Sequence, residues 1–392
     1  MSAVMTPLGV LTEKIGSGAT PRGGTAVYQA TGTALIRSQN VLDNEMKLDG
    51  VARISTEAAD QLKGVSVRPG DVLLNITGDS IARTCLVDER ALPARVNQHV
   101  AIIRTGPDLH PGYLQKYLVH PETKAHLLSI SAGGTRKALT KRMIGGLVVP
   151  LRPLSEQRAI AEVLGALDDN IAVNARLSAC AEELVIALAG QGKAQCTLAD
   201  VATRTTRTVK PEALSEAEVD HFSLPAYDES RTPEATLARS IKSAKFAIES
   251  PCVLLSKLNP RIPRVWDVVE LSGRPSLAST EFIVLQPQLV CSSVLWAVLS
   301  QQNFMVELKS MVAGTSGSHQ RVRPDDVMTL EITDPRSLSK ATQEAITALG
   351  RTVLHARLEN EKLARTRDAL LPLLMSGKVT VKDAEAMVGE VV

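Results

Sequence analysis

Apolar residues recur at alternating spacings of four and three along two stretches of this chain. In the first, Ile160, Leu164, Leu167, Ile171, Asn174, Ser178, Ala181, Val185 and Leu188 fall on one helical face. In the second, Ile346, Leu349, Val353, Ala356, Asn360, Leu363, Arg367, Leu370 and Leu374 do the same. A heptad seam of this kind predicts a long helix, about 35 residues and roughly 50 Å at 1.5 Å of rise per residue. Ser155 is a good N-cap for the first, with Glu156 acidic in its first turn. Pro372 predicts a kink or an end to the second, and Ser376-Gly377 a stop. Asn174, Ser178, Asn360 and Arg367 are polar seam positions of the kind that set register. Two amphipathic helices, each packed on its own globule, would show the same pattern. Recurrence favours helices that pair with each other, antiparallel. Leu164, Leu167, Ile171, Asn174, Ile346, Leu349, Val353 and Leu363 are the residues expected to meet.

Between these helices the chain has the texture of mixed α/β (α+β) domains. Ala34-Leu-Ile-Arg37, Asp71-Val-Leu-Leu74 and His99-Val-Ala-Ile-Ile103 read as short strands between Gly- and Pro-rich turns. Cys252-Val-Leu-Leu255, Val265-Trp-Asp-Val-Val269 and Glu281-Phe-Ile-Val-Leu285 play the same part later, and helical pieces follow in both halves, over 111–128 and 292–311. The halves also repeat in detail. Val72-Leu-Leu-Asn-Ile-Thr-Gly-Asp-Ser-Ile-Ala-Arg83 returns as Val253-Leu-Leu-Ser-Lys-Leu-Asn-Pro-Arg-Ile-Pro-Arg264, Ala132-Gly-Gly-Thr135 as Ala313-Gly-Thr315, and Leu154-Ser-Glu-Gln157 has a counterpart starting at Leu338-Ser339. The predicted order is globule 1–150, helix 151–190, globule 191–335, helix 336–378 and tail 379–392, an internal pseudo-two-fold repeat. Two copies of one module joined by rods suit the reading of two things, or two halves of one, at a set distance.

Composition narrows the class. With 392 residues and 44% hydrophobic content there is room for two or three cores. No apolar run is long enough to span a membrane and the N-terminus lacks a signal-like pattern, so a cytoplasmic protein without a membrane partner is expected. Cys85, Cys180, Cys196, Cys252 and Cys291 are odd in number and scattered, which supports neither a disulfide framework nor a zinc site. Net charge is near zero, 44 basic against 42 acidic residues, yet the basic residues cluster. Arg136, Lys137, Lys141 and Arg142 form one run; Lys242, Lys245, Lys257, Arg261 and Arg264 form another, opposed in the sequence by Glu249 alone. A single run of this kind is usually a solvated loop. Recurrence at matching places points to a surface for phosphate.

Candidate contacts gather beside turns. Arg22 lies in Gly16-Ser-Gly-Ala-Thr-Pro-Arg-Gly-Gly24, a loop whose N–H groups suit phosphate. Arg37, Gln39 and Asn40 are side-chain types that match guanine and adenine edges. Lys257, Asn259, Arg261 and Arg264, then Thr315, His319, Gln320, Arg321 and Arg323, are the later counterparts. Arg37, Gln39, Asn40, Thr135, Arg136, Lys257, Asn259, Arg261, His319, Gln320 and Arg321 are expected to read bases. Arg22, Lys137, Lys141, Lys242, Lys245, Arg264 and Arg323 are expected to anchor phosphates. Catalytic patterns are missing: there is no P-loop, no His-Glu-x-x-His, no nucleophile elbow and no methyl-donor glycine loop. Asn259-Pro260 is followed by Arg261-Ile262, where an amino-methyltransferase loop needs Pro-Tyr. No metal or cofactor site is expected.

The order of motifs resembles the specificity (S) subunits of type I restriction–modification enzymes. Pro153-Leu-Ser-Glu-Gln-Arg158 leading into Leu167-Asp-Asp-Asn-Ile171, and Leu370-Leu-Pro-Leu-Leu-Met-Ser-Gly-Lys378, carry the likeness in the helices. In the globules it rests on Ile76-Thr-Gly-Asp-Ser80 with Val96-Asn-Gln-His-Val100, and on Val253–Trp266 with Ser279-Thr-Glu-Phe282. The resemblance implies two target-recognition domains separated by two conserved antiparallel coiled-coil helices. It implies a non-catalytic chain that reads split double-stranded DNA and recruits two methyltransferase (M) subunits, with motor-nuclease (R) subunits as further partners. S-adenosylmethionine would then sit on the M subunits. A methylation-only system and a protein-binding scaffold are the alternatives. The second helix starts more loosely, at Ser339-Lys-Ala-Thr-Gln-Glu344, and shows Gly350 and Arg351 where Asp168 and Asp169 stand in the first, so unequal docking surfaces are expected.

Overall fold

The computed structural model describes residues 4–132, 137–214, 217–311 and 320–389. Contacts divide the chain into two units: Met1–Asn170 with Lys362–Val392, and Ile171–Glu361. The fold is mixed α/β, with eleven α-helices among the described residues. None of them is long and apolar enough to cross a membrane. The two long helices, Leu154–Ala189 and Lys340–Ser376, each give one part to each unit.

In the first unit a four-stranded sheet runs in the order Thr12–Ser17, Val100–Thr105, Val72–Asn75, Thr84–Leu86, all antiparallel. Val72–Asn75 is buried along its whole length, which is why it reads as an unbroken apolar run. A second sheet runs Tyr28–Gln29, Ala52–Ile54, Thr33–Ile36, Ala94–Val96, its last pair parallel. Leu73, Val100 and Ile102 of the first sheet share one core with Ala34, Ile36 and Val96 of the second. Asp71, fully buried, is held by Arg104 through two bonds of 2.7 and 2.8 Å and by the Arg68 N–H at 2.7 Å.

The second unit repeats this plan. One sheet runs Ala202–Thr205, Phe282–Pro287, Cys252–Ser256, Val265–Val268, and the other Thr208–Val209, Lys245–Ile248, Ser276–Ala278, Glu218–Phe222, Glu234–Leu237, again with one parallel pair. Trp266 anchors its aromatic cluster, with ring centroids 4.9 Å from Phe222, 5.6 Å from Tyr227 and 6.3 Å from Phe282. The expected helical pieces are each broken in two. Pro121 starts a new helix after Pro111–Val119, because proline cannot supply the N–H that would continue the earlier one. Ser292–Leu299 and Gln302–Ser310 form the later pair.

Three expectations about the long helices need correction. Ser155 lies inside the first turn and does not cap it; the Pro153 carbonyl accepts from Glu156 and Gln157, at 2.9 and 3.0 Å. Buried Gln157 then orders the start, donating to Arg152 O and Asp108 O and accepting from the His110 N–H at 2.8 Å. Gln343 donates to Leu338 O at 3.0 Å, the same local bond, so Gln343 and not the 338–339 pair is the register mark of the second helix. In that register Asn174 corresponds to Asn360, and Gly350 and Arg351 correspond to Leu164 and Gly165, not to Asp168 and Asp169. Pro372 neither ends the helix nor stops it early; it sits in the last turn, and the end comes at Gly377 (φ 76°). There Gly377 N–H bonds Leu374 O at 3.1 Å and Lys378 N–H bonds Leu373 O at 3.0 Å, the left-handed glycine cap. Arg152 adds a cation at that negative end, donating to Met375 O at 3.0 Å.

Every seam position is buried or half-buried. Within the first unit the two helix segments lie side by side in opposite directions: Arg152 meets Met375, and Asp168 meets Arg367 at 2.8 Å. Asp168 also accepts from Lys116 of Pro111–Val119. Within the second unit Asn360 donates to Ile171 O at 3.1 Å, while Glu182 accepts from both Arg357 and Arg231. In each unit one carboxylate on the first helix thus holds the second helix and the globule together.

Candidate nucleic-acid interface

In the second unit three segments are stitched together by backbone hydrogen bonds. Beyond Cys252–Ser256 the chain loops through Asn259 (φ 52°) and returns where Ser256 N–H bonds Arg264 O at 2.9 Å. Lys257 N–H bonds Glu281 O at 2.8 Å, Asn259 N–H bonds Gln320 O at 2.9 Å and Val322 N–H bonds Lys257 O at 3.1 Å. This frame brings Lys257, Asn259, Arg261, Arg264, Gln320, Arg321 and Arg323 to neighbouring positions. Arg261, Arg321 and Arg323 are exposed and Gln320 is buried. Burial, with the nearby charges of Arg321 and Arg204, holds the Lys257 ammonium below its ordinary range against the pull of Glu281. A phosphate oxygen there would favour the charged form again.

The acids that balance this cluster come from far away in the chain. Glu281 holds Arg321 through two bonds, 2.9 and 3.1 Å, and Asp228 holds Arg264 at 2.6 and 2.8 Å. The expectation of a basic run opposed by Glu249 alone is therefore corrected: local excess in the sequence is met in space by Asp228 and Glu281. Arg321 keeps about half of its side chain exposed, 52%, with its plane fixed by Glu281, whereas Arg264, expected to anchor phosphate, is 15% exposed and committed to Asp228 and to Ile262 O.

The first unit has the matching frame. The loop after Val72–Asn75 turns at Ala82 (φ 68°), Ile76 N–H bonds His99 O at 3.0 Å and Leu139 N–H bonds Ile76 O at 2.9 Å. Thr77 pairs with Ala138 just as Leu258 pairs with Arg321. Buried Asn75 donates to Ser38 O, Val41 O and Ser80 Oγ, tying the turn that carries Arg37 and Gln39 to this loop. A chain of side-chain bonds crosses the same edge. Thr20 donates to Gln98, the Gln98 amide donates to His99 Nε2 at 2.8 Å, and His99 Nδ1 lies 2.5 Å from Thr77 Oγ1. With Nε2 accepting, Nδ1 carries the proton and Thr77 keeps its own hydroxyl hydrogen to offer outward. Gly18 allows the Gly-rich loop to cross here, since a Cβ would stand 2.1 Å from Val96 O.

Other expected residues are placed differently. Asn40 is buried, accepting from Arg37 N–H and donating to Lys47 O, so its amide closes its own turn. Lys245 is buried in a strand of the five-stranded sheet and donates to Ser243 O and Oγ, and burial lowers its pKa; Lys242 is exposed in the loop before that strand. Arg22, Gln39, Lys137 and Lys141 are exposed, and Arg37 donates to Gly50 O at 3.1 Å. Thr135, Arg136, Thr315 and His319 lie outside the described residues. Thr20, Gln98, Arg204, Asp228 and Glu281 are not among the expected contacts; Thr20, Gln98 and Glu281 lie inside motifs the sequence offers (Gly16–Gly24, Val96–Val100 and Ser279–Phe282), and Arg204 and Asp228 do not. No group of three or more His, Cys, Asp or Glu side chains able to hold a metal occurs among the described residues.

The overall fold matches that of a solved type I restriction–modification system S subunit. That structure, from M. genitalium, aligns over 95% of this chain and 95% of its own, with a TM-score of 0.60 at 12% identity. Among curated proteins, the type I restriction enzyme EcoBI specificity subunit of Escherichia coli is 32% identical over 146 residues. The match takes in 36% of this chain and 30% of that relative's length. No protein-family model matches the chain. In sequence and in fold the chain resembles type I specificity subunits.

Proposed function

We propose that this chain is the specificity subunit of a type I restriction–modification complex. Each globule is a target-recognition domain reading half of a split double-stranded DNA site. The observation that carries the reading is the pair of stitched loop edges, one per unit, on sheets of the same topology. Backbone bonds set each edge rigidly, and exposed Arg261, Arg321 and Arg323 in one, with Gln39, Lys137 and Lys141 in the other, face outward from it. Lysines and arginines would supply salt-dependent phosphate affinity; a smaller set, including Lys257, Asn259 and Arg261, would read base edges. The long helices act as an antiparallel coiled-coil spacer between half-sites. The chain itself carries out no reaction. Two M subunits, holding S-adenosylmethionine, methylate adenine where it directs them, and R subunits join for cleavage.

Single-molecule methylome sequencing of a host expressing this chain with its partner methyltransferase tests the reading. A new split adenine-methylation motif that disappears when the chain is omitted is expected. An assembled complex that produces no new motif would turn the reading towards a protein-binding scaffold.

A further inference from the structure

Two positions of the stitched frame carry different chemistry in the two units. In the second unit Lys257 N–H bonds Glu281 O and Leu258 pairs with Arg321; in the first Ile76 N–H bonds His99 O and Thr77 pairs with Ala138. Glu281 and Arg321 therefore stand where His99 and Ala138 stand in the other frame. On one backbone pattern, one slot holds a carboxylate and a guanidinium, the other an imidazole and a methyl group. The grip on Arg321 is side-on: Nε–H donates to Glu281 Oε2 at 3.1 Å and Nη2–H to Oε1 at 2.9 Å. Those bonds use one edge of the guanidinium and leave the other, Nη1–H with the second Nη2–H, facing away from the acid. Arg104 and Arg264 are gripped by carboxylates in the same way, yet both are 15% exposed and turn a further N–H to a carbonyl, of Ser66 and Ile262. Arg321 combines the grip with a half-exposed side chain and a place on the stitched edge.

We propose that Arg321 reads a guanine in the half-site of the second unit, and that Glu281 is the positioning residue that sets its plane; this rests on the DNA-reading role proposed above. Guanine presents two acceptors side by side in the major groove, O6 and N7, and the free edge of an arginine supplies two parallel N–H donors to match them. Both bonds form only when guanidinium and base are coplanar. The side-on carboxylate fixes that plane before DNA arrives, so less side-chain freedom is lost on binding. Charge favours the base over the backbone. Arg321 and Glu281 together carry no net charge, and the carboxylate would repel a phosphate brought to the same place, whereas a base edge is uncharged. With Ala138 in the equivalent slot, the first unit makes no such demand, so the guanine belongs to one half-site only.

Methylome sequencing with R321K, E281A and R90A in the full chain, each assembled with its partner methyltransferase, provides the test. R321K keeps the charge and removes the fork, so one G·C pair of one half-site should become degenerate while every other position of the motif stays. E281A keeps the fork without its grip and should relax the same position and no other. Arg90 is held side-on by Asp88 and is 66% exposed, but lies beyond the Leu86 end of its strand, away from the stitched edge; R90A should leave the motif unchanged. On duplexes, 7-deazaguanine at that position removes N7 alone. It should weaken the wild-type complex about fivefold in fluorescence anisotropy, the share of one bond of a bidentate pair, and weaken the R321K complex no further. A motif without a G·C pair in either half-site, or one that R321K leaves intact, overturns the inference while the specificity role stands. Equal loss by R321K on cognate and scrambled duplexes overturns it too, and makes Arg321 a phosphate contact. Full discrimination in E281A overturns the positioning role of Glu281. An assembled wild-type complex that yields no motif at all overturns the proposed function, and this inference with it.

Discussion

Asp168 offers the sharpest test of what holds the first unit together. Its carboxylate lies between Lys116 and Arg367, with side chains only 12% and 7% exposed for Asp168 and Lys116. Replacing it by Asn removes the carboxylate that the two cations share. A buried pair broken on one side costs about 3–5 kcal/mol, since the surviving charge stays desolvated. Arg367 is more exposed and has Asp368 as a second partner at 2.8 Å, and Lys116 also reaches Asn44 Oδ1 at 3.3 Å. Those contacts reduce the expected loss to about 3 kcal/mol. Urea denaturation with the slope checked against wild type measures it. The triple variant Lys116→Met, Asp168→Leu, Arg367→Met removes all three charges together and should lie within about 1 kcal/mol of wild type, because apolar replacement of a whole buried cluster is commonly near neutral. A loss below about 1 kcal/mol for Asp168→Asn, or a triple variant as weak as the single one, would refute the reasoning.

Asp267 gives a pH signature: burial raises its pKa to about 6, against the pull of Ser293, Ser292 and Arg357. The folded state then favours the protonated form, so stability should fall as pH rises from about 4 to 6 and stay lower above that. Asp267→Asn should remove the slope and raise the unfolding midpoint at pH 7.5 by a shift worth about 1–3 kcal/mol, with little change at pH 4, as followed by circular dichroism. Arg261→Ala should weaken one half-site by about 1–3 kcal/mol if it reads a base, measured by fluorescence anisotropy of the assembled complex on cognate and scrambled duplexes; equal loss on both makes it a phosphate contact. Deleting one heptad from both long helices should change the preferred gap between half-sites in the methylation motif, and an unchanged gap would rule out the spacer role.

The strands and long helices were legible in the sequence because burial has a period. Val72–Asn75 and Cys252–Ser256 are apolar runs bounded by turns, and their observed limits fall within a residue of the expected ones. Helix ends were harder. Ser155 looks like a cap, but the start is ordered by Gln157, whose bonds to Asp108 O and the His110 N–H reach far along the chain and leave no local mark. Charge was misread for the same reason: Asp228 and Glu281 stand far from Arg264 and Arg321 along the chain and beside them in space. Asn40 has a base-reading side chain, yet its position after a short turn commits the amide to its own backbone.

The stitched edges separate what is held from what is shown. Lys257 with Val322, Asn259 with Gln320 and Ile76 with Leu139 are joined by main-chain N–H and C=O groups, which every residue but proline can supply. The frame therefore does not depend on which side chains stand at Arg261, Arg321, Gln39 or Lys137. If the edges read DNA as proposed, a change of specificity calls for new outward-facing residues and not for a new frame.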